Sequence, residues 1–386
     1  MDDPLSVLLP RYGERALADL APALLAAQGV PGLADRLAIP RARTVCLLLV
    51  DGLGWQLLHR YREYAPFLAD ALGDSAPLTA GFPATTATSV ASVGTGLTAG
   101  EHGIVGYTFE VAGQPLLNAL RWGTQLGPRH DLRDELVPEH VQPRPTLFER
   151  ATADGVAVSM AAPRIHRGSG LTRAVLRGAR FVPCHALGDL VTTAAGALNA
   201  QDRAFCYAYH GDLDVLGHVY GPGSAPWCEQ LRFIDRMAAA IAAALPGDGL
   251  LVVTADHGMV SMTGADRIAV EDHPELHEGV RLLGGEARVR HVYTEPDATS
   301  DVLARWRSVL GERAIVHTRD EAIAAGWFGP AVAEHVRPRI GDVVAAMLGS
   351  AGLVRTGAES SEAAMVGQHG SLTAVEQQVP LILVTA

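Results

Sequence analysis

Four apolar runs of strand length punctuate the first two thirds of the chain: Thr44–Val50, Val156–Ala161, Ala204–Tyr209 and Gly249–Thr254. Runs of this kind, continuous rather than alternating, predict strands covered on both faces, as in the middle of a parallel sheet. Between them the pattern changes to helical spacing. Residues 14–27 read as an amphipathic helix ended by Gly29. A second helix opens at Ser224 and puts Leu231, Ile234, Ala238, Ile241 and Leu245 on one face. Thr146-Leu-Phe-Glu149 forms a capping box that opens a third, closed by Gly155. Strands alternating with helices predict an α/β fold, a mainly parallel sheet sandwiched by helices.

The rhythm breaks after His257-Gly258. Residues 259–366 hold short strand candidates (289–293 and 314–317), a helix over 301–310 and a proline-rich bend at 330–338. This stretch reads as an inserted α+β cap. Residues 1–258 would be the first part of the catalytic core, and 367–386 its return, with a last strand over 379–384. Leu126–Pro145, rich in proline and charge, reads as a surface excursion.

Composition narrows the function classes. The chain has 386 residues, 48% hydrophobic and 19% charged, which suits a globular protein and not a disordered one. A net charge of −11 argues against a nucleic-acid-binding surface. All 31 basic residues are arginines, so chemistry that requires a lysine, such as a P-loop or a Schiff base, is excluded. The four cysteines show no C-x-x-C spacing and are expected as reduced, buried thiols. Met1-Asp2-Asp3-Pro4 lacks the basic and apolar pattern of a signal peptide, and no apolar run is long enough to span a bilayer. A cytoplasmic location is the expectation.

Polar residues with metal chemistry collect where the strand candidates end. Asp51 follows the first run, Asp214 and His218 follow the third, Asp256 and His257 follow the fourth, and His369 sits in a glycine-flanked loop. Ligand groups in open α/β sheets gather at that edge. Three carboxylates and three imidazoles form two mixed nitrogen and oxygen sites, a set that suits zinc or manganese. Taken singly, Asp51 is a turn or capping residue and His369 a satisfied loop histidine. The segment Gly81–Tyr107 adds hydroxyls at Thr85, Thr86, Thr88 and Ser89 near the start of a short helix, where free N–H groups and the helix dipole favour an anion.

These motifs together resemble the alkaline phosphatase superfamily, in its type I phosphodiesterase/nucleotide pyrophosphatase branch. The resemblance rests on D-G-L-G at 51–54, F-P-A-T-T at 82–86 with the following T-G-L and E-H-G-I-V, D-V-L-G-H at 214–218 and T-A-D-H-G at 254–258. It implies Thr86 as the nucleophile, three residues after the proline and nine before the T-G-L. It implies one metal ion among Asp51, Thr86, Asp256 and His257 and another among Asp214, His218 and His369, with zinc the family's ion and manganese compatible with the ligands. Family diesterases carry a phosphate-binding asparagine where this chain has Tyr107, whose phenol can donate in its place. Asn118 is the other candidate for substrate binding.

The expected activity is therefore hydrolysis of a small-molecule phosphodiester or nucleotide through a phosphothreonine. Phosphonate hydrolysis and phosphomonoesterase activity on the same scaffold are the alternatives, followed by a catalytically inactive binding protein. Diesters are expected over monoesters. The stretch Ala71–Leu120 holds no arginine to meet a dianion, while Phe82, Tyr107 and Phe109 offer neutral surface to an esterifying group. No nucleic-acid or membrane partner is expected, and the sequence leaves the oligomeric state open.

Overall fold

The computed structural model describes residues 7–111 and 113–386, so the acidic Met1–Pro4 lies outside the described residues. The four apolar runs become β1 (Thr44–Val50), β2 (Ala157–Pro163), β4 (Ala204–His210) and β5 (Gly249–Thr254) of the central sheet, and β3 (Arg180–Cys184), which no apolar run announced, joins them. The C-terminal strand Ile382–Thr385 completes the order Ile382–Thr385, β5, β1, β4, β2, β3. Every pairing among β1–β5 is parallel, and only the C-terminal strand runs antiparallel, against β5. All of β1 and β5 is buried, the burial that their unbroken apolar sequences predicted.

Helices cover the sheet. The four used below are α1 (Leu17–Ala27), α2 (Thr86–Thr95), α3 (Asp212–Tyr220) and α4 (Ala225–Ala242). In α2 all ten residues are buried, although Thr, Ser and Val are indifferent helix formers. Tertiary packing therefore holds this helix more than propensity does. Gly94 marks how close the packing is: a Cβ there would lie 2.0 Å from the Val175 carbonyl oxygen.

A second sheet lies between residues 280 and 347. It consists of β6 (Val280–Glu286), β7 (Val289–Thr294), β8 (Ala314–Thr318) and β9 (Val343–Met347), antiparallel throughout in the order β6, β7, β9, β8. Its faces alternate as strand geometry requires. Val289, Val344 and Ala346 pack into the main core, while Val292, Val343, Ala345 and Met347 form a second cluster with Trp306 and Leu310. Arg288 reaches from this sheet to Glu376 in a fully buried ion pair at 2.7 Å.

Several expectations change at the element ends. The first helix starts at Leu17 and not at residue 14, because Arg15 is drawn aside to the carbonyls of Ala76 and Pro77. Leu245 falls beyond α4, which ends at Ala242. The last strand is two: Gln378–Val379 pairs with Leu78–Thr79, and Ile382–Thr385 joins the central sheet. Pro380 between them has no N–H for a ladder bond. The four cysteines are free and buried. Among the described residues no helix is long and apolar enough to cross a membrane.

Candidate active site and metal centre

Three adjacent parallel strands, β5, β1 and β4, end side by side and deliver the site. Asp51 follows β1, Asp256 and His257 follow β5, and α3 after β4 carries Asp214 and His218 one turn apart. His369 arrives from the loop after residues 367–368, which pair with Val260–Ser261. Thr86 is the first residue of α2, with Thr85 at its N-cap. The seven positions expected as ligands thus come from five separate stretches of chain to one place.

The three imidazoles are oriented alike. Nδ1 of His218 lies 2.8 Å from the Gly367 carbonyl, Nδ1 of His257 2.9 Å from that of Gly258, and Nδ1 of His369 3.0 Å from that of Ala84. A carbonyl can only accept, so each Nδ1 carries a proton and each Nε2 faces inward, where it can ligate a metal when it carries none. Inside, His257 Nε2 lies 3.3 Å from Asp51 Oδ1, 3.5 Å from Asp256 Oδ2 and 3.3 Å from the Thr86 hydroxyl. His218 Nε2 lies 3.2 Å from Asp214 Oδ2 and 3.3 Å from His369 Nε2. Asp214 Oδ1 is 3.8 Å from His369 Nε2.

Two sets of ligand atoms fall within 4.8 Å of one another: Asp51 with Asp256 and His257, and Asp214 with His257 and His369. His257 is thereby common to both, and His218 touches Asp214 and His369 at the outer side. Asp51 Oδ1, Asp214 Oδ1 and Asp256 Oδ2 are buried with no hydrogen-bond partner. Buried carboxylate oxygens without donors, facing imidazole nitrogens, are what divalent cations satisfy. The residues present therefore fit a metal centre.

Charge within the cluster points the same way. Burial, then repulsion from Asp214, lifts the Asp51 carboxyl to about 8. Burial and the neighbouring Asp51 lift Asp256 well above the carboxylate range. Burial opposes ionisation of Asp214 as well, but His218 outweighs it and holds that carboxyl low. Other groups fix the ligands in place. Tyr209 donates to Asp51 Oδ2, the Gly52 and His257 N–H groups each donate to Asp256 Oδ1 at 3.1 Å, and Ser89 donates to the Asp256 carbonyl.

Two cavities open from Thr86. One, about 350 Å³, is lined by Val90, Met160, Leu171, Leu176, Tyr207 and Tyr209 and carries fewer charged side chains than the other. The other, about 220 Å³, is lined by Tyr107, Glu286, Arg290, Arg355, Glu359 and Glu362. Thr86, Leu120 and Asp214 border both. A phosphorus atom at Thr86 would have a less charged lobe on one side and a more charged, polar lobe on the other.

The two expected substrate contacts separate. Tyr107 lines the polar lobe, donating to Glu362 at 3.4 Å and accepting from Arg121 at 3.2 Å. Asn118 does not line either cavity. It is fully buried, donates to Gln125 at 2.7 Å and accepts from the Arg121 N–H, so it is placed as a support behind Tyr107. Phe82 and Phe109, expected beside the substrate, are also fully buried, and Phe82 packs on Trp327 and Phe328. Arginines do reach the pocket, from the second sheet and the segment after it as Arg290 and Arg355, both on Glu359. Arg173 is tied to Glu139, whereas His166 lines the less charged lobe, edge-on to Tyr209.

Sequence reasoning missed Tyr207, Tyr209, Glu286, Arg290 and Arg355. The tyrosines had a signal, since they alternate at the end of a buried strand that leads into the site. Glu286, Arg290 and Arg355 had none, because only the packing of the second sheet and the segment after it on the chain around residues 105–110 brings them near.

The family model described as type I phosphodiesterase/nucleotide pyrophosphatase matches residues 45–372. A phosphopentomutase of Anaeromyxobacter dehalogenans (strain 2CP-C) is 28% identical over 187 residues, 47% of this chain. The chain spans 44% of the length of that curated relative. Among solved structures, murine ectonucleotide pyrophosphatase/phosphodiesterase 5, an inactive threonine-to-alanine variant in complex with AMP, superposes with TM-score 0.66. It is 17% identical and covers 87% of each chain. Phosphonoacetate hydrolase from Sinorhizobium meliloti 1021 in complex with phosphonoformate gives TM-score 0.63 at 19% identity, covering 90% of this chain and 91% of that one. At these identities the structural likeness speaks to the fold, which is the mainly parallel α/β architecture described above.

Proposed function

The chain belongs to the type I phosphodiesterase/nucleotide pyrophosphatase family, and from that premise we propose that it hydrolyses small phosphodiesters using Thr86 as nucleophile. The observation that carries the reading is the position of the Thr86 hydroxyl. It sits in the first turn of α2, 3.5 Å from Asp51 Oδ2 and 3.3 Å from His257 Nε2, at the junction of the two lobes.

Asp51, Asp256 and His257 would hold one divalent ion and Asp214, His218 and His369 another, with zinc or manganese suited to the donors. Bound there, such ions supply positive charge that acidifies the threonine hydroxyl and offsets charge developing on phosphoryl oxygens. The chain does the rest. Thr86 Oγ1 gives up its proton to solvent and attacks phosphorus in line, the bond to one ester arm breaks, and the departing oxygen takes a proton from solvent. Water then cleaves the phosphothreonine and restores the hydroxyl. Free N–H groups in the first turn of α2 donate to the non-bridging oxygens as their charge grows. The less charged lobe takes one arm of the diester and the polar lobe the other.

A diester is favoured over a monoester because Arg290 and Arg355, the arginines that line the polar lobe, share Glu359. Each is held on that carboxylate, and neither hydrogen-bonds the Thr85 or Thr86 hydroxyl. The test compares bis-p-nitrophenyl phosphate with p-nitrophenyl phosphate in one buffer and metal. The expected result is a higher kcat/KM for the diester, lost on chelation, restored by zinc or manganese, and abolished in Thr86→Ala at near-normal metal content. Thr85→Ala should be milder. A tenfold monoester preference, about 1.4 kcal/mol, would move the assignment to a phosphomonoesterase.

A further inference from the structure

Two guanidinium groups in the polar lobe share one carboxylate. Arg290 lies 2.9 Å and Arg355 3.5 Å from Glu359. The other acids of the lobe do not restore the balance. Glu362 lies 3.6 Å from Arg121 and accepts from Tyr107. Asp214 belongs to the metal centre. Glu286 is buried, and burial lifts its carboxyl to about 8 against the pull of His257, Thr85, His218 and Arg290, so it is largely uncharged at neutral pH. One positive charge is left over.

The hydrogen bonds locate that surplus. Arg288, two residues before Arg290, uses all three of its guanidinium nitrogens, on Glu376 and on the carbonyls of Met347, Gly349 and Ala351. Arg290 uses two. Its Nε and Nη2 donate to the Leu353 carbonyl at 3.1 and 2.8 Å, while Nη1 is buried with no partner among the described residues. Arg355 stands two residues beyond that carbonyl, just after the strand Gly352–Val354. It is held through Nη1 alone, at 3.4 Å from the Leu283 carbonyl and 3.5 Å from Glu359, both at the weak end of hydrogen-bond distances. Its Nε and Nη2 have no acceptor among the described residues, and its side chain, 18% exposed, lines the cavity.

A guanidinium short of acceptors and of counter-charge is costly to bury, and a ligand anion that accepts from its free N–H groups relieves the cost. The surplus is one charge, which a carboxylate matches. A terminal phosphate brings up to two and would leave negative charge uncovered. A planar fork of N–H donors also fits the two oxygens of a carboxylate. Neither arginine hydrogen-bonds the Thr85 or Thr86 hydroxyl, so the charge serves the arm of the substrate and not the reacting phosphoryl group. We propose that Arg290 and Arg355 are specificity-determining residues that select phosphodiesters whose polar-lobe arm ends in a carboxylate. The inference rests on the phosphodiesterase reading and names the arm seated in that lobe.

Three esters test it: 2-carboxyethyl, 2-carbamoylethyl and 2-phosphonoethyl p-nitrophenyl phosphate, whose arms end in a carboxylate, its neutral isostere and a dianion. The metal-loaded wild-type enzyme is expected to favour the carboxyethyl over the carbamoylethyl ester at least tenfold in kcat/KM. In Arg355→Gln that preference should fall at least threefold, and Arg355→Lys, which keeps the charge, should retain more of it than the glutamine variant does. A wild-type preference below tenfold overturns the inference while leaving the phosphodiesterase reading intact. So does a preference unchanged in Arg355→Gln, since the guanidinium would then not be the selector. A phosphonoethyl ester that outruns the carboxyethyl one overturns it as well, because the selected arm would be a dianion. Hydrolysis of bis-p-nitrophenyl phosphate without turnover of any of the three esters also sinks this inference alone. Failure on all four substrates overturns the underlying reading and this inference with it. If Arg355→Gln does not fold, the wild-type preferences decide alone.

Discussion

At the residue scale, Tyr209 shows how the site depends on groups that do not themselves act. Its hydroxyl donates to Asp51 Oδ2, the oxygen that also lies 3.5 Å from Thr86. Its neighbour on the same strand face, Tyr207, is more deeply buried, and its hydroxyl has no partner. Removing the Tyr209 hydroxyl leaves a buried carboxylate oxygen short of a donor and free to turn. Tyr209→Phe is therefore expected to lower metal affinity or activity by about 10–100-fold, the usual cost of losing a group that orients a ligand. Tyr207→Phe, which removes no hydrogen bond to the site, should change either by less. Metal content by elemental analysis, measured beside kcat/KM for both variants, checks this. Equal effects would mean that the two hydroxyls act on bound substrate and not on Asp51.

At the element scale, the nucleophile segment is held to the second sheet by a buried histidine. His291 on β7 has Nε2 2.9 Å from the Val105 carbonyl and accepts from the Gly341 N–H at Nδ1, 3.2 Å away. Both nitrogens are satisfied only in the neutral ring. Burial accordingly lowers its pKa from 6.5 to about 4. The sign follows from which state binds the proton first. As pH falls below about 6.5 the unfolded chain is protonated while the folded one is not, so stability is full above that pH and is lost on the way down to about 4. The loss is about 1.4 kcal/mol per pH unit across that window. Urea denaturation of wild type and His291→Gln at pH 7, 5.5 and 4.5 isolates it. The stability gap between the two should shrink at about that rate, and a gap independent of pH would count against a neutral native His291.

For the whole molecule, the buried Arg288–Glu376 pair joins the second sheet to the C-terminal segment. Glu376 also accepts from the Ser371 N–H at 3.0 Å and from the Thr373 hydroxyl, and so fixes the turn just after His369. Arg288 in turn reaches the carbonyls of Met347, Gly349 and Ala351. Glu376→Gln would leave the guanidinium buried without a counter-charge, at a cost of about 3–5 kcal/mol. It should also loosen His369 and lower metal content, although it lies outside the ligand set. A denaturation midpoint and metal content both close to wild type would show that the pair is dispensable.

What the sequence determined by itself was whatever short-range pattern can encode. Continuous apolar runs announced the buried parallel strands, because a strand covered on both faces needs no polar alternation. Thr146-Leu-Phe-Glu149 announced a helix start, and in the structure its side chains close the box. Acidic and imidazole side chains at strand ends announced a site, because parallel strands bring their carboxyl ends to a common edge. Pattern said less about Val280–Glu286 and Val343–Met347, whose partners lie far away in sequence. Only the tertiary structure decided what surrounds Thr86. Phe82, adjacent in sequence, turned into the core because burying an aromatic ring against Trp327 and Phe328 is more favourable than lining a wet pocket. Glu286, about two hundred residues away in sequence, came to within 3.3 Å of Thr85 because a hairpin of the second sheet packs on the chain around residues 105–110. Short-range pattern records which groups a segment must bury; which distant charge then faces the cavity depends on how the sheets pack.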